Sequence, residues 1–272
     1  MTIAVDFGTT YTGVAYYSDA ANSQLPQDER HAKEIAEKVI VIKDWPKVSV
    51  QFMEKTPTII SYHTDPPTWG GSVKPQDEPQ ISRFKLGLEP AVPQHYAHEA
   101  NHGEPISYGK HDGLPQKEPV DFATDFLKCI HNYVQNTHLP RQYGAQYLRN
   151  QRIAYVVTVP AIWGPKAQAL TLEAASEAFE TSKDELTLVP EPEAAALFCA
   201  TTCEEVDLTD GDQFLLCDAG GGTVVCSFQF SKSRILFHTR YFRVILLTSR
   251  NAALAQAQHA VRCISTKASK SS

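Results

Sequence analysis

An α/β fold is the class that this sequence predicts, and three features predict it. Short apolar or β-branched runs flanked by turn residues alternate with longer segments of helical periodicity. Two of the short runs end in an aspartate and a small-residue turn, after which a second strand-like run follows. The chain has 272 residues, 42% of them hydrophobic and 21% charged, which are ordinary values for a globular protein with a sizeable core.

Six strands are predicted, each as a short apolar or β-branched run. They span residues 2–5, 13–17, 39–42, 58–61, 153–159 and 213–217. Helices fill the intervals, and the clearest span residues 121–137, 165–179 and 193–201. The first helix has an apolar residue at every fourth position from Phe122, the second opens with Pro165 in its first turn, and the third follows Pro192.

Residues 62–120 differ in composition from the rest of the chain. They hold nine of the seventeen prolines and a glycine pair at positions 70 and 71. Proline and glycine interrupt regular structure, so this segment is predicted to be a loop-rich insertion rather than a sheet.

Two hairpin motifs carry the chemistry that the sequence predicts. The first hairpin, residues 3–15 (IAVDFGTTYTGVA), and the second hairpin, residues 215–225 (LLCDAGGGTVV), each run from apolar strand to aspartate, small-residue turn and second strand. Glycines and threonines let backbone N–H groups and hydroxyls close on an anion, while the aspartate holds a cation or water. A matched pair of such hairpins can bind the phosphates of one nucleotide; the alternative for each aspartate is ordinary turn capping.

These motifs resemble those of a known family. The two hairpins are similar to the phosphate-1 and phosphate-2 motifs of the actin-like ATPase superfamily, nearest to the seventy-kilodalton heat shock protein chaperones. Residues 155–163 (YVVTVPAIW) and 188–197 (LVPEPEAAAL) resemble two further motifs of these chaperones, in the family's order. The resemblance covers residues 2–230 and is nearest to a divergent, fungal-type branch without a standard peptide-binding domain.

The resemblance implies an actin-like ATPase (ribonuclease H-like) fold with a complete first lobe and only the start of the second. The first lobe would span residues 1–205, including the insertion at 62–120. The start of the second lobe, residues 206–230, would hold the second hairpin, and residues 231–272 resemble no part of that lobe. ATP or ADP and Mg²⁺ are the cofactors implied.

The resemblance also assigns the site residues. Asp6 and Asp218 would reach a hydrated Mg²⁺ that bridges the nucleotide phosphates. The two phosphate cradles would be Gly8, Thr9, Thr10 and Tyr11 in the first hairpin and Gly220, Gly221, Gly222 and Thr223 in the second.

Two further residues complete the predicted catalytic set. Glu191 matches a glutamate that would position water or face the metal, and its alternative is an acidic residue favoured by the dipole at a helix N-terminus. Lys85 is the best candidate for a catalytic lysine, and a solvated surface lysine is its alternative.

Two departures from the family weaken the predicted activity. Val225 stands two residues after Thr223, where the chaperones usually have an aspartate, and valine cannot ligate a cation or its water. The second lobe, which supplies most adenine and ribose contacts in the family, has no counterpart here, so the site would lose much of its burial.

The charge pattern sets the last segment apart. Residues 1–230 carry a net charge of −14, with every acidic residue at or before Asp218, whereas residues 231–272 carry +8. A basic arm that binds an anionic surface is one explanation. An altered reading frame, a retained intron or a truncated gene fits these scattered charges better, and we expect a poorly ordered tail. Strands within residues 213–230 would then lack sheet neighbours.

The remaining features indicate a cytoplasmic or nuclear protein without a membrane segment. The sequence starts directly in a strand, without the charged and apolar regions of a signal peptide, and its longest apolar run, residues 194–200, is too short to span a bilayer. The six cysteines form no CxxC pair and are expected to be reduced, with Cys199 and Cys203 on the buried side of a helix. Metal binding by His95, His98 and His102 is not favoured, because no carboxylate-rich motif accompanies them.

The sequence therefore predicts an ATP-binding domain of the heat-shock-chaperone type, with co-chaperone or client proteins as partners and no role for nucleic acid or membrane. A catalytically inactive remnant or regulatory isoform that acts only as a binding scaffold is the alternative. The third hypothesis is an anion-surface binder that acts through the basic tail.

Overall fold

The computed structural model describes residues 1–18, 38–46, 53–89 and 117–195, together with the backbones of three later strands. The strands are β1 Thr2–Phe7, β2 Tyr11–Tyr17, β3 Ile40–Val41, β4 Lys55–Pro57, β5 Ile59–Ser61, β6 Thr68–Trp69, β7 Gln80–Ser82, β8 Ala154–Val159, β9 Leu186–Pro190, β10 Gln213–Ala219, β11 Val224–Phe230 and β12 Arg243–Thr248. The α-helices are α1 Pro119–Tyr133, α2 Leu139–Tyr143, α3 Ala145–Arg149 and α4 Pro165–Ala178, and residues 191–195 are also helical. Short 3-10 helices span Gly70–Ser72, Phe84–Leu88 and Lys183–Glu185, and Val134–His138 forms a π-helical turn.

A mixed sheet forms the centre of the fold. Its strand order is β3-β2-β1-β8-β9, and β4 also pairs with β2. β1 runs antiparallel to β2 and parallel to β8, which is in turn parallel to β9. The crossover from β8 to β9 contains α4 and covers one face of the sheet, as parallel connections require. The predicted α/β class is confirmed.

The two faces of this sheet are packed differently. Alternation along β1 turns Ile3, Val5 and Phe7 towards the large core beneath α1 and α4, where the aromatic side chains are buried. The opposite face has a smaller cluster of mostly short side chains, including Ala4, Ala15 and Val156. Asp6 comes two residues after Ala4 in β1, so its side chain lies on the same, second face.

The two long helices lie close to their predicted bounds. Pro119 begins α1, where Glu118 and Asp121 form a reciprocal capping box that satisfies the first backbone N–H groups. The π-helical turn then continues the helical path to His138, which accounts for the predicted end near residue 137. Pro165 begins α4 as predicted. The last predicted helix, residues 193–201, starts two residues earlier, and its residues 196–201 lie outside the described part.

Two short strands of the insertion join β5 in a small sheet, which corrects the prediction of a loop-rich segment rather than a sheet. β6 and β7 flank β5 in a three-stranded antiparallel sheet, with Ile60 opposite both Trp69 and Ile81. A strand of two or three residues is too short to show an alternating pattern in the sequence. β4 was missed for the same reason.

The basic tail contains a strand, which corrects the prediction of a poorly ordered segment for residues 243–248. β12 pairs with β10 in parallel, and β10 also pairs with β11, so β10 is the central strand of a three-stranded sheet. The apolar, β-branched run at residues 244–247 explains why this part of the tail forms a strand. β10 therefore has neighbours on both sides, contrary to the prediction.

Within the described residues, no helix combines the length and the apolar character needed to cross a bilayer.

Candidate functional site

Two predicted site residues, Asp6 and Glu191, lie at one edge of the central sheet together with Thr158. Asp6 lies near the carboxyl end of β1, Thr158 near the carboxyl end of β8, and Glu191 directly after β9. Because these three strands are parallel, their carboxyl ends meet at the same edge, which is where α/β proteins bind ligands.

The turn of the first hairpin is held by Thr58, the residue between β4 and β5. The Thr58 hydroxyl donates to the Gly8 carbonyl at 2.9 Å, and the Thr58 backbone N–H donates to the Thr10 carbonyl at 2.8 Å. The Thr12 hydroxyl lies 2.9 Å from that of Thr58 and is buried with it. These bonds hold the turn in one conformation before any ligand binds, and such preorganisation favours affinity.

The turn itself is tight and open to solvent. A Cβ atom on Gly8 would lie 2.1 Å from the Tyr11 carbonyl oxygen, so only glycine fits there. Thr9 and Thr10 are half-buried, and Tyr11 is 42% exposed. Gly8, Thr9, Thr10 and Tyr11 are thus placed as an accessible turn, as the prediction of a first phosphate cradle requires.

The Asp6 carboxylate is buried, and the structure pairs both of its oxygens. Oδ1 accepts a hydrogen bond from the Thr158 hydroxyl at 3.0 Å, and Oδ2 lies 2.8 Å from the Lys55 Nζ atom. Strand register explains the ion pair, because Asp6 pairs with Gly13 and Gly13 pairs with Lys55. The lysine side chain reaches the carboxylate across a residue that has no side chain of its own.

This arrangement does not fit Asp6 as a direct ligand for Mg²⁺, and the predicted contact through the water shell of Mg²⁺ stays a prediction. A divalent cation at Oδ2 would have to displace the Lys55 ammonium group, which already neutralises the carboxylate. Across residues 1–18, 38–46, 53–89 and 117–195, no group of three or more His, Cys, Asp or Glu side chains could hold a metal ion.

Lys85 is buried and forms an ion pair with Glu191, so the alternative of a solvated surface lysine is wrong. Its side chain is 2% exposed, and its Nζ atom lies 2.7 Å from Glu191 Oε1. The same ammonium group lies 5.6 Å from the Phe7 ring centroid and 5.3 Å from that of Trp163, within cation–π range. Two residues proposed separately for catalysis, 106 positions apart, are therefore in direct contact.

The segment that carries Lys85 is also tied to helix α4. Glu89 follows the 3-10 helix Phe84–Leu88, and its Oε2 atom accepts a hydrogen bond from the Gly164 N–H at 2.8 Å. A carboxylate at a helix N-terminus is favoured by the helix dipole and satisfies a free backbone donor. This contact anchors one end of the short segment, while the Lys85–Glu191 ion pair anchors its middle.

The two ion pairs lie on opposite faces of the sheet at the same edge. Lys85 contacts Phe7, which faces the α1 and α4 side, whereas Lys55 contacts Asp6 on the other face. The described part of the site thus contains two lysine–carboxylate pairs, one on each face of the sheet at the end of β1.

The second hairpin is described only in its backbone. β10 and β11 are antiparallel, with Asp218 opposite Val225 and Ala219 opposite Val224, which agrees with the predicted strand–turn–strand motif. Gly220, Gly221, Gly222 and Thr223 lie outside the described residues, as does the side chain of Asp218. His95, His98, His102, Cys199 and Cys203 also lie outside them.

Three residues of this site were not predicted from the sequence. Lys55 and Thr58 come from a segment in which they carry no distinguishing pattern, and only strand pairing brings them to the first hairpin. Thr158 did leave a signal, because it is the only polar side chain between Val156 and Val159 in a buried strand. A polar residue at such a position requires a hydrogen-bond partner, and Asp6 is that partner.

The best-formed cavities among the described residues are small. Their two best-formed cavities measure about 10 and 20 Å³, and the larger is lined by Lys43, Trp45, Lys55, Thr56 and others. Ligand pockets commonly measure about 300 Å³ or more. Neither cavity is large enough for a nucleotide.

Comparison of the sequence with known proteins finds no family model that matches it and no significant match among curated proteins.

Proposed function

We propose that this chain is an ATP-binding domain of the actin-like ATPase type, related to the seventy-kilodalton heat shock protein chaperones and located in the cytoplasm. The observation that carries the proposal is the contact between Lys85 and Glu191 at 2.7 Å. Each residue was assigned to catalysis on its own motif, and a contact across 106 residues at the carboxyl edge of parallel strands is consistent with a shared site.

The proposed roles follow from the geometry of the first lobe. Thr9 and Thr10 offer backbone N–H groups and hydroxyls to the phosphates at a braced and accessible turn. Lys85 supplies positive charge beside Glu191, and Glu191 would orient a water molecule for attack on the terminal phosphate. Residues 220–223 would hold the phosphates from the second hairpin, and Asp218 would face the hydrated Mg²⁺ that accompanies them. Mg²⁺, where it takes part, would arrive bound to the phosphates, since Asp6 is already neutralised by Lys55.

Calorimetric titration of the full chain with ATP in the presence of Mg²⁺ tests this proposal. We expect saturable binding that is weaker than in an enclosed cleft, and a clear loss of affinity when Thr9 and Thr10, whose hydroxyls face the phosphates in this proposal, are both replaced by alanine. Glu177→Gln is a suitable control. Glu177 lies on α4 and forms an exposed ion pair with Lys128 of α1, outside the first hairpin. Absence of heat at millimolar ATP in a folded chain would refute the proposal.

A catalytically inactive binding scaffold is the second candidate, and the same ion pair favours it. Lys85 and Glu191 neutralise each other, and a glutamate held by a lysine is a poor partner for water. A single-turnover assay with radiolabelled ATP distinguishes the two candidates. Slow hydrolysis that is abolished in Glu191→Gln would support an enzyme, whereas binding without any hydrolysis would support a scaffold.

A further inference from the structure

Lys55 brings an ammonium group to the first hairpin, and the proposed function gives it no contact with the nucleotide. Its Nζ atom lies 2.8 Å from Asp6 Oδ2. The Lys55 side chain is 22% exposed, whereas that of Asp6 is 3% exposed. The ammonium group is therefore reachable from solvent, while the carboxylate that it neutralises is not.

The backbone is arranged to allow this contact. Asp6, Gly13 and Lys55 occupy paired positions on β1, β2 and β4. A Cβ atom on Gly13 would lie 3.3 Å from Lys55 Cγ, closer than an ordinary contact, so a larger residue would push the lysine stem away from the sheet. The absence of a side chain at this middle position lets the lysine lie flat across β2 and reach Asp6.

A buried carboxylate needs a compensating charge, and at this hairpin the protein supplies it. An ammonium group has three N–H donors and no acceptor. The ion pair with Asp6 uses one of these donors, and the lysine side chain is 22% exposed on a strand that pairs with β2 of the first hairpin, so a phosphate oxygen could accept a further hydrogen bond from the ammonium group.

We propose that Lys55 is a built-in counter-cation of the first hairpin, so that the site binds a polyphosphate without a divalent cation at Asp6. This inference rests on the proposed ATP-binding function. It assigns Lys55 a direct contact with the phosphates and predicts that nucleotide affinity depends little on Mg²⁺.

The test is calorimetric titration of the full chain with ATP and with inorganic triphosphate, each in the presence of Mg²⁺ and in the presence of EDTA. For the unmodified protein, we expect EDTA to change the affinity for ATP by less than about threefold. For Lys55→Met, we expect a loss of about tenfold or more in EDTA, the scale of one charge-assisted hydrogen bond, with partial recovery in Mg²⁺.

Two further variants complete the design. Lys43→Met is the matched control, because Lys43 forms an exposed ion pair with Glu54 in the neighbouring segment, and it should bind ATP as the unmodified protein does. Lys55→Arg keeps the positive charge, so its affinity for ATP should also change little when EDTA replaces Mg²⁺. This variant allows the inference to be tested even if Lys55→Met does not fold.

The outcomes separate this inference from the proposed function. Binding by the unmodified protein that requires Mg²⁺ would overturn the role of Lys55 but support the ATP site. Equal affinity of Lys55→Met and the unmodified protein in EDTA would reduce Lys55 to a structural ion pair and also overturn it. Absence of binding under either condition would refute both the ATP site and the inference.

Discussion

At the scale of single residues, the candidate site is defined by carboxylates that are each held by a lysine. Lys55 holds Asp6 and Lys85 holds Glu191, and in each pair at least one side chain is almost completely buried. Removing one partner of such a pair leaves an uncompensated charge, which costs more free energy than the intact pair contributes.

Replacement of Lys85 by methionine is predicted to lower the free energy of unfolding by about 2–4 kcal/mol, because Glu191 would lose its counter-charge in a site that is only partly open to water. Urea denaturation measures the change. The double variant Lys85→Met, Glu191→Gln should recover part of the loss, since no unpaired carboxylate remains.

The control for this prediction is Lys128→Met. Lys128 and Glu177 form an ion pair in which both side chains are largely exposed, so its loss should change stability by less than about 1 kcal/mol. If the Lys85 and Lys128 variants lost equal stability, the buried ion pair would have no special structural role.

Gly8 gives a second prediction at this scale. A methyl group there would lie 2.1 Å from the Tyr11 carbonyl oxygen, so Gly8→Ala must distort the turn of the first hairpin, at a cost of about 3 kcal/mol. Thermal unfolding should show a midpoint lower by several degrees. Gly164→Ala is the matched control, because its nearest neighbour would lie at an ordinary 3.6 Å, and a similar loss there would argue against a steric cause.

At the scale of elements, α1 organises the aromatic core. The Phe126 ring lies 6.4 Å from that of Phe7, 5.7 Å from that of Phe84 and 6.3 Å from that of Trp69. One helix thus joins the site strand β1, the segment that carries Lys85 and the small sheet of the insertion.

Phe126→Ala is predicted to destabilise the protein by about 3–5 kcal/mol, because it opens a cavity where these three segments meet. Phe126→Leu should cost clearly less. The measurement is urea denaturation, and a loss below about 1 kcal/mol for the alanine variant would show that the junction does not depend on this ring.

The packing of α1 against β8 also predicts a dependence on pH. His131 lies 3.0 Å from the Tyr155 hydroxyl, and burial lowers the pKa of its imidazole although Glu180 acts in the opposite direction. The unfolded chain therefore binds a proton at higher pH than the folded chain. The stability contributed by neutral His131 is complete above its usual pKa and is lost as the pH falls through and below that value.

Measurements of unfolding at about pH 7.5 and about pH 5 test this expectation. The unmodified protein should lose more stability over this interval than His131→Gln, which cannot take up the proton. Because the contact between His138 and Asp44 is present in both proteins, the difference isolates His131. Equal losses would contradict the assignment.

At the scale of the whole molecule, the second sheet links the basic tail to the second hairpin. β10 carries Asp218 and lies between β11 and β12, and β12 comes from the tail. The tail therefore contributes a structural neighbour to the strand that leads into the predicted phosphate-2 turn.

Deletion of residues 231–272 is predicted to promote aggregation, because it removes β12 and leaves one edge of β10 unpaired. Deletion of residues 249–272 keeps β12 and should leave the protein monodisperse. Light scattering distinguishes the two. The chain that ends at residue 230 would have a net charge of −14 and the chain that ends at residue 248 a net charge of −10. Charge repulsion alone would therefore keep the shorter chain more soluble. If the shorter chain aggregated less than the longer one, the structural role of β12 would be contradicted.

Much of the fold could be predicted because its main elements have local signals. The apolar and β-branched runs of β1, β2 and β8 and the periodicity of α1 identify these elements within a few residues of their bounds. β4, β6 and β7 could not be found, since two or three residues do not establish a period. β12 was not predicted, because the charge of the tail favoured a poorly ordered segment, and only its parallel pairing with β10 identifies it as a strand.

The sequence by itself determined the α/β class, the two aspartate-led hairpins and the glycine at the tight first turn, because these depend on the order of neighbouring residues. Only the tertiary structure decided that Lys55 neutralises Asp6, that Thr158 donates to it, and that Lys85 is buried against Glu191. Strand register and the crossover through α4 bring these side chains together. Such contacts depend on how distant segments pair and pack, for which a single sequence carries no local pattern.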